Sequence, residues 1–300
     1  PEGSTWTRIL HQFAKETGQR TQGAVSFKIY AGGVSGDEMD VLRKMRVGRI
    51  HAAGFSGVGL GVLLPEIRIL EAPLLFNDYG ELDHVKERLF DRFAEGLNKK
   101  GYVLLGFVEA GFVYFYARSD LSGTEALGKV KMWAWKGDPM AKTFLETFGI
   151  RTYPLHVADV NTGLETGMID AFYSPPLAAM AFQWYTRIQY VLDFPMVNST
   201  GALLMTRKAF SRLSPEHQKT MRSLATRYCG KLVRRSRRDN DEAMALFKTS
   251  GIELVPPTER QLSIFRENAK KTHEKSIPSL YSRDLFKKVS AILEEYRNGQ

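Results

Sequence analysis

The chain has 300 residues, of which 43% are hydrophobic and 25% charged, with 26 Gly, 12 Pro, a single Cys and a formal net charge of +9. This composition excludes a collagen-like, disulfide-stapled or disordered chain and suits one large globular domain or two medium ones. The longest apolar runs, such as GVGLGVLLP (57–65), fall short of the roughly 18–20 residues that span a bilayer.

Helical and strand periods alternate through the first two-thirds of the chain. TWTRILHQFAKETG (5–18) places Ile9, Leu10, Phe13 and Ala14 on one helical face, with Gly18 as a stop. VSFKIYAG (25–32) alternates as a strand should. DEMDVLRKMRVG (37–48) carries acids in its first turn and bases in its last, as the helix dipole favours. RIHAAGFS (49–56) reads as a short strand and 81–101 as one long helix, followed by strands 102–110 and 112–118. After a polar break at 119–128 the same grammar returns. Strand KVKMWAW (129–135), helix 138–149, helix 158–167, strand 169–174 and helix 176–188 follow in turn. Strand character reappears at 201–210, and everything past Ser214 is helical. The pattern predicts an α/β fold with mostly parallel sheets.

The common catalytic and cofactor signatures are missing. GVGLG (57–61) has G-x-G-x-G spacing where a dinucleotide cradle needs G-x-G-x-x-G, and Pro65 cuts off helix growth, so a flexible loop is expected. No phosphate-binding P-loop or nucleophile elbow occurs, and the six histidines (11, 51, 84, 156, 217, 273) lack ligand spacing, so no metal or cofactor is expected. Asp37, Glu38 and Asp40 are explained by a helix N-terminus. Cys229, in a helical pattern, reads as an inert, partly buried side chain. Residues 202–300 hold 21 Lys+Arg against 11 Asp+Glu, most densely in KLVRRSRRDNDEAMALFK (231–248). The arginines run into Asp239, Asp241 and Glu242, and no nucleic-acid reading motif accompanies them, so a solvated helix face is expected and no nucleic-acid partner.

In open α/β sheets ligands collect beyond the carboxyl ends of strands. KMWAWKGDP (131–139) ends such a strand. Trp133 and Trp135 share one face, while Val130, Met132 and Ala134 take the other. Gly137 makes the turn, Asp138 caps the next helix and Pro139 opens it. Trp is seldom fully buried and its N–H needs a partner, so a ligand-lining role is expected alongside simple core packing.

Six segments in order resemble the DctP-like solute-binding subunits of tripartite ATP-independent periplasmic (TRAP) transporters. They are YAGGVSGDEMDVLRKMRVGRIHAAGFSG (30–57), LEAPLLF (70–76), GFVYFYARSDL (111–121), LGKVKMWAW (127–135), LETGMIDAFYSPPLAAM (164–180) and YTRIQYVLDFP (185–195). The resemblance implies a two-lobed periplasmic-binding-protein type II fold with crossing hinge strands and a long helical C-terminal region. Lobe I is expected in 1–118 plus about 202–250, and lobe II in 119–201 plus about 251–300. It implies an extracytoplasmic receptor, not an enzyme, that captures a small organic solute and delivers it to TRAP permease membrane subunits. The location implied is the periplasm, with a leader removed and lipid anchoring open; the chain begins at Pro1 without Met, which suits a processed chain.

The sequence departs from the family where the carboxylate is usually gripped. The arginine of the family's "K-x-R" strand stands here as Trp133, a second common arginine as Val113, and the asparagine of its "N-P" turn as Ser174. The expected ligand-binding set is therefore Trp6, Phe55, Ser56, Glu109, Phe112, Trp133, Trp135, Phe172, Tyr173, Ser174 and Trp184. Such a cleft gains from apolar burial, at about 25 cal/mol per Å², whereas an unpaired buried carboxylate costs several kcal/mol. The expected ligand is thus more apolar or aromatic than a C4 dicarboxylate, with a quaternary ammonium ranked below it. Lys131 and Lys136 are candidate replacements for the missing guanidinium. The departure also resembles relatives that use a tetratricopeptide-repeat partner. Two other readings stay open: a clam-shell sensing or interaction protein for a membrane partner, and an enzyme built around Asp138, Glu109 and His51.

Overall fold

A computed structural model of the protein describes residues 3–277 and 279–299. In chain order the elements are α1 (Thr5–Arg20), α2 (Glu38–Arg46), β1 (Ala52–Ser56), α3 (Gly57–Leu63), α4 (Tyr79–Arg88) and α5 (Phe90–Lys99). Next come β2 (Tyr102–Ala117), α6 (Ala126–Lys129), β3 (Lys131–Trp135), α7 (Pro139–Thr147), β4 (Arg151–Leu155), α8 (Val160–Glu165) and β5 (Ala171–Ser174). The chain ends with α9 (Pro176–Ala181), β6 (Tyr190–Thr206), α10 (Arg207–Phe210), α11 (Pro215–Thr249), β7 (Glu253–Val255), α12 (Glu259–Ser276) and α13 (Arg283–Asn298).

The chain packs as two compact units. The first comprises 1–67, 86–109 and 200–237; the second comprises 68–85, 110–199 and 238–300. Residues 68–85, 110–118 and 238–250, expected in the first lobe, pack in the second unit. The chain runs from one unit to the other at 67/68 and inside α4, β2, β6 and α11.

In the first unit β1 pairs antiparallel with the end of β6, Ala52 facing Met205 and Ser56 facing Gly201. A Cβ on Gly201 would lie 2.7 Å from the Phe55 carbonyl, so glycine is needed for that approach. The core joins Ile9 and Phe13 of α1, Val103 and Leu105 of β2, Leu203 and Met205 of β6, and Leu224, Cys229 and Leu232 of α11. Cys229 is buried more fully than its sequence setting suggests, and its apolar surroundings push the thiol up to about 12, which keeps it protonated.

In the second unit β3 is an interior strand, parallel to β4 (Lys131 opposite Arg151) and to β5 (Met132 opposite Ala171). β5 runs antiparallel to β2, and β7 lies parallel to β6. The sheet is therefore mixed where mostly parallel pairing was expected. Its antiparallel contacts are those of β2 with β5 and of β6 with β1. Both faces of β3 are covered. Val130, Met132 and Ala134 enter one core with Phe115, Phe144 and Phe265. Trp133 enters another with Tyr116, Phe172, Trp184, Ala243 and Phe247.

Several local expectations differ from the structure. The stretch GVGLG forms the start of α3, not a loop. The expected helix 81–101 divides at Leu89, and strands 102–110 and 112–118 are one strand. Residues 25–30 alternate in burial but take part in no strand. β4 and the first half of β6 were not foreseen; Asp193 and Pro195 disguise β6, since both residues are poor strand formers.

Candidate functional site

The loop after β3 is built as its sequence predicts. Gly137 adopts φ +89°, a conformation open to glycine. The Asp138 carboxylate accepts from the N–H groups of Met140 (3.0 Å) and Ala141 (3.3 Å), and Pro139 opens α7. The two indoles lie on one face of β3, ring centroids 6.3 Å apart. Tyr173 stacks on Trp133 at 5.2 Å, and its hydroxyl accepts from the Trp135 backbone N–H at 3.1 Å. Trp184 meets Trp133 edge-on at 5.3 Å and Phe172 at 5.4 Å, while Phe182 stacks on the outer side of Trp184.

Burial sorts this group. Trp133 is 3% exposed and donates its ring N–H to the Leu155 carbonyl at 3.0 Å, so its polar demand is met inside the unit. Phe172 is fully buried against Tyr116, and Trp184 is 3% exposed. Trp135 and Tyr173 are half-buried and Phe182 is 39% exposed, so these three are the members of the group that offer ring surface. Ser174 is buried, its hydroxyl donating to the Pro175 carbonyl. Phe112 is buried against Tyr79, whose hydroxyl accepts from the Phe112 N–H at 3.3 Å.

A buried cation that the sequence did not flag lies beside this face. The Arg68 guanidinium, 3% exposed, contacts Asp138 at 2.9 Å and Glu71 at 2.9 Å. Burial opposes its charge, but Glu71 and Asp138 outweigh that and raise its pKa, so it is permanently charged and doubly neutralised. Burial, with Asp138 adding to it, pushes the Tyr173 phenol upward, so it remains a neutral hydroxyl. Lys131 donates to the Gly167 carbonyl, and Lys136 is exposed.

A second polar support in this unit is Asn240 of α11. Its amide donates to the Ala110 carbonyl at 2.7 Å and accepts from Leu177 N–H, at the start of α9, at 2.8 Å. Gly111 (φ +114°) makes room for it, since a Cβ there would fall 2.2 Å from the Asn240 amide nitrogen. A glycine inside an apparent strand was the available signal.

The expected site residues of the first unit form two groups. Phe55 is buried at the end of β1, and Ser56 caps α3 by accepting from Val58 N–H at 3.2 Å. Glu38 accepts from Ser56 N–H (2.7 Å), the Ser56 hydroxyl (2.9 Å) and Gly59 N–H (2.8 Å). A Cβ on Gly59 would sit 2.5 Å from that carboxylate, which explains the glycine without a nucleotide. In the other group, Glu109 is fully buried between Lys86 Nζ at 2.7 Å and Arg237 Nε at 2.6 Å. Burial pushes its pKa up, but the two cations prevail and hold it below the ordinary carboxylate value. Trp6 donates to Ser236, the residue before Arg237, at 3.0 Å. Among the described residues no group of three or more His, Cys, Asp or Glu is placed to hold a metal, and no helix is long and apolar enough to cross a membrane.

Two α/β units threaded by the same long strands, with an aromatic face at the end of β3, define the class of two-lobed α/β solute-binding proteins. The family model for DctP, "Bacterial extracellular solute-binding protein, family 7", matches residues 1–279, and the chain belongs to that family. The 2,3-diketo-L-gulonate-binding periplasmic protein of Escherichia coli is 25% identical over 81% of this chain and 74% of its own length. A solute-binding protein of Chromohalobacter salexigens is 27% identical over 54% of this chain, which spans about half (49%) of that relative. The fold is that of a TRAP periplasmic solute-binding protein of Xanthobacter autotrophicus solved with β-D-galacturonate (TM-score 0.88, 19% identity, 97% of each chain covered). It is equally that of one from Desulfovibrio desulfuricans solved with sn-glycerol-3-phosphate (TM-score 0.89, 21% identity, 99% and 94% covered). Family and fold are those of transport solute-binding proteins and not of enzymes.

Proposed function

We propose that this protein is a TRAP-type receptor that captures a small organic solute more apolar or aromatic than a C4 dicarboxylate and delivers it to a TRAP permease. The observation that carries the ligand class is the half-buried Trp135–Tyr173 surface, backed by Trp133, in the place where the family sets an arginine. The nearest buried guanidinium, Arg68, already faces two carboxylates. A small dianion brought to this face would meet rings and acids, while an aromatic ligand would stack and bury apolar area. Uronates and glycerol phosphate, the ligands named for the structural relatives, are polar anions, so this chain is proposed to differ from them in substrate. A periplasmic location, possession of a leader or lipid anchor, and a tetratricopeptide-repeat partner belong to the same reading.

Thermal-shift and calorimetric titration against succinate, glucuronate, aromatic monoacids and neutral aromatics tests it. Aromatic compounds are expected to stabilise the protein, by about 2.7 kcal/mol at a hundredfold excess over Kd. Trp135→Ala should weaken that binding by roughly 2 kcal/mol, as truncation of an aromatic binding hot spot does. Tight binding of succinate or glucuronate, or full affinity in Trp135→Ala, overturns the ligand assignment.

A further inference from the structure

The basic excess of the chain is confined to one unit. The first unit holds 23 Lys+Arg against 11 Asp+Glu, a net of +12; the second holds 19 against 22, a net of −3. Asp239, Asp241 and Glu242, which follow the arginine run in sequence, fall in the second unit. Within the first unit the charge concentrates further. Residues 200–237 carry ten bases and one acid, Glu216.

The structure lays α1 alongside this part of α11. Trp6 bonds Ser236, Gln12 accepts from Lys231 at 2.7 Å, and Glu16 accepts from the Tyr228 hydroxyl at 2.8 Å and from Arg227, so the two helices run antiparallel. Their inner faces are spent in the core through Ile9, Phe13, Leu224, Cys229 and Leu232. What they turn outward is basic: Arg8, Lys15 and Arg20 from one helix, and Lys219, Arg227, Lys231 and Arg234 from the other are exposed. Glu16 is the one acid of α1, and it is already engaged by Arg227 and Tyr228. The same unit carries Tyr30 (54% exposed, under Lys28 Nζ at 5.3 Å) and Val47 (73%), flanked by Arg46 and Arg49.

We infer that the outer face of α1 and α11 docks the protein reversibly on an anionic lipid bilayer. This goes beyond solute capture and is independent of which solute is bound. A spread of long, flexible cations with few acids among them suits a mobile two-dimensional array of phosphate headgroups. An acidic protein surface would call for a packed apolar centre with charges at its rim, and this face has its apolar residues on the inner side. Retention near the membrane raises the encounter rate with any integral partner by electrostatic steering.

The test is sedimentation of the whole protein with vesicles of phosphatidylcholine, alone or mixed equally with phosphatidylglycerol, at low and at physiological salt. Binding is expected to require phosphatidylglycerol and to fall steeply with salt. Lys219→Glu/Lys231→Glu/Arg234→Glu should weaken it by roughly a hundredfold, from the loss of three surface contacts. Lys270→Glu/Lys287→Glu/Lys288→Glu, which changes the net charge equally in the second unit, should leave it within about twofold on the same basis. Equal loss in both variants would reduce the effect to overall charge and overturn the inference. So would failure to bind phosphatidylglycerol vesicles by a protein that an acidic polypeptide matrix retains at physiological salt. Unchanged melting of both variants keeps the reading clear of misfolding.

Discussion

Replacing Glu109 by Gln keeps the shape of the side chain and removes the charge that two cations share. Lys86 Nζ lies 2.7 Å from one carboxylate oxygen and Arg237 Nε 2.6 Å from the other. Glu109 has no solvent exposure, and the Lys86 side chain has 8%. The amide can still accept from one cation, while its NH2 group faces the other. Removing one partner of a buried ion pair costs about 3–5 kcal/mol. The Arg237 side chain is 20% exposed and can turn toward water, which favours the lower end of that range. For a chain of this size each kcal/mol moves Tm by about 2–4 °C, so a fall of roughly 10 °C is expected. Lys86→Met leaves Glu109 with Arg237 and should cost about 1–3 kcal/mol. The double variant should be less unstable than the sum of the singles by more than about 1 kcal/mol, because the lysine left uncompensated in Glu109→Gln is gone. Urea and thermal melts of the four proteins measure this. A Glu109→Gln cost under about 1 kcal/mol, or strict additivity, would refute the argument. The pH sign follows: the carboxyl lies below its ordinary value, so its contribution is present above about pH 4.3 and is lost as pH falls through the folded value.

Gly59→Ala should cost about 1–3 kcal/mol and displace the Glu38 cap from α3, visible as faster amide exchange at Ser56 and Gly59; unchanged exchange would refute it. His273 is buried with its Nε2 2.8 Å from the Pro73 carbonyl, and burial lowers its pKa despite that contact. The fold therefore holds it neutral, and its contribution, present above about pH 6.5, is lost as pH falls below that value toward the folded one. His273→Gln should flatten the stability profile below about pH 6.5; a profile unchanged by the substitution would count against the assignment. Asp138→Ala removes the cap of α7 and one of the two partners of Arg68, and a loss of about 3 kcal/mol is expected in the same melts; a loss no larger than a cap alone, about 1 kcal/mol, would show that Glu71 suffices.

Local chemistry was legible in the sequence where one segment decided it. Gly137, Asp138 and Pro139 make the turn, cap and first position of α7 as their side chains dictate, and the periodicity of 5–18 marks α1. The order of segments carried the family. What escaped depended on contacts distant in sequence. Gly59 reads as flexibility until Glu38, twenty-one positions earlier, is seen to occupy the space of its missing Cβ. Arg68 and Asp138 are seventy positions apart, and no pattern links them. The two-sidedness of β3 was also invisible, because whether a strand's second face is solvated depends on what covers it; α11 contributes Ala243 and Phe247 to that cover. Trp133 is thereby more enclosed than Trp135, though both share a face.

Five passages of the backbone between the units mean that neither is a contiguous stretch of polypeptide. The first cannot be completed until residue 237 has been made, and the second needs 68–85 together with the final helices. Neither unit can therefore be completed from a contiguous early stretch of the nascent chain. A nascent chain of this design stays unfinished until late in synthesis, and genetic excision of one unit as a cassette would leave raw strand ends with nothing to pair them.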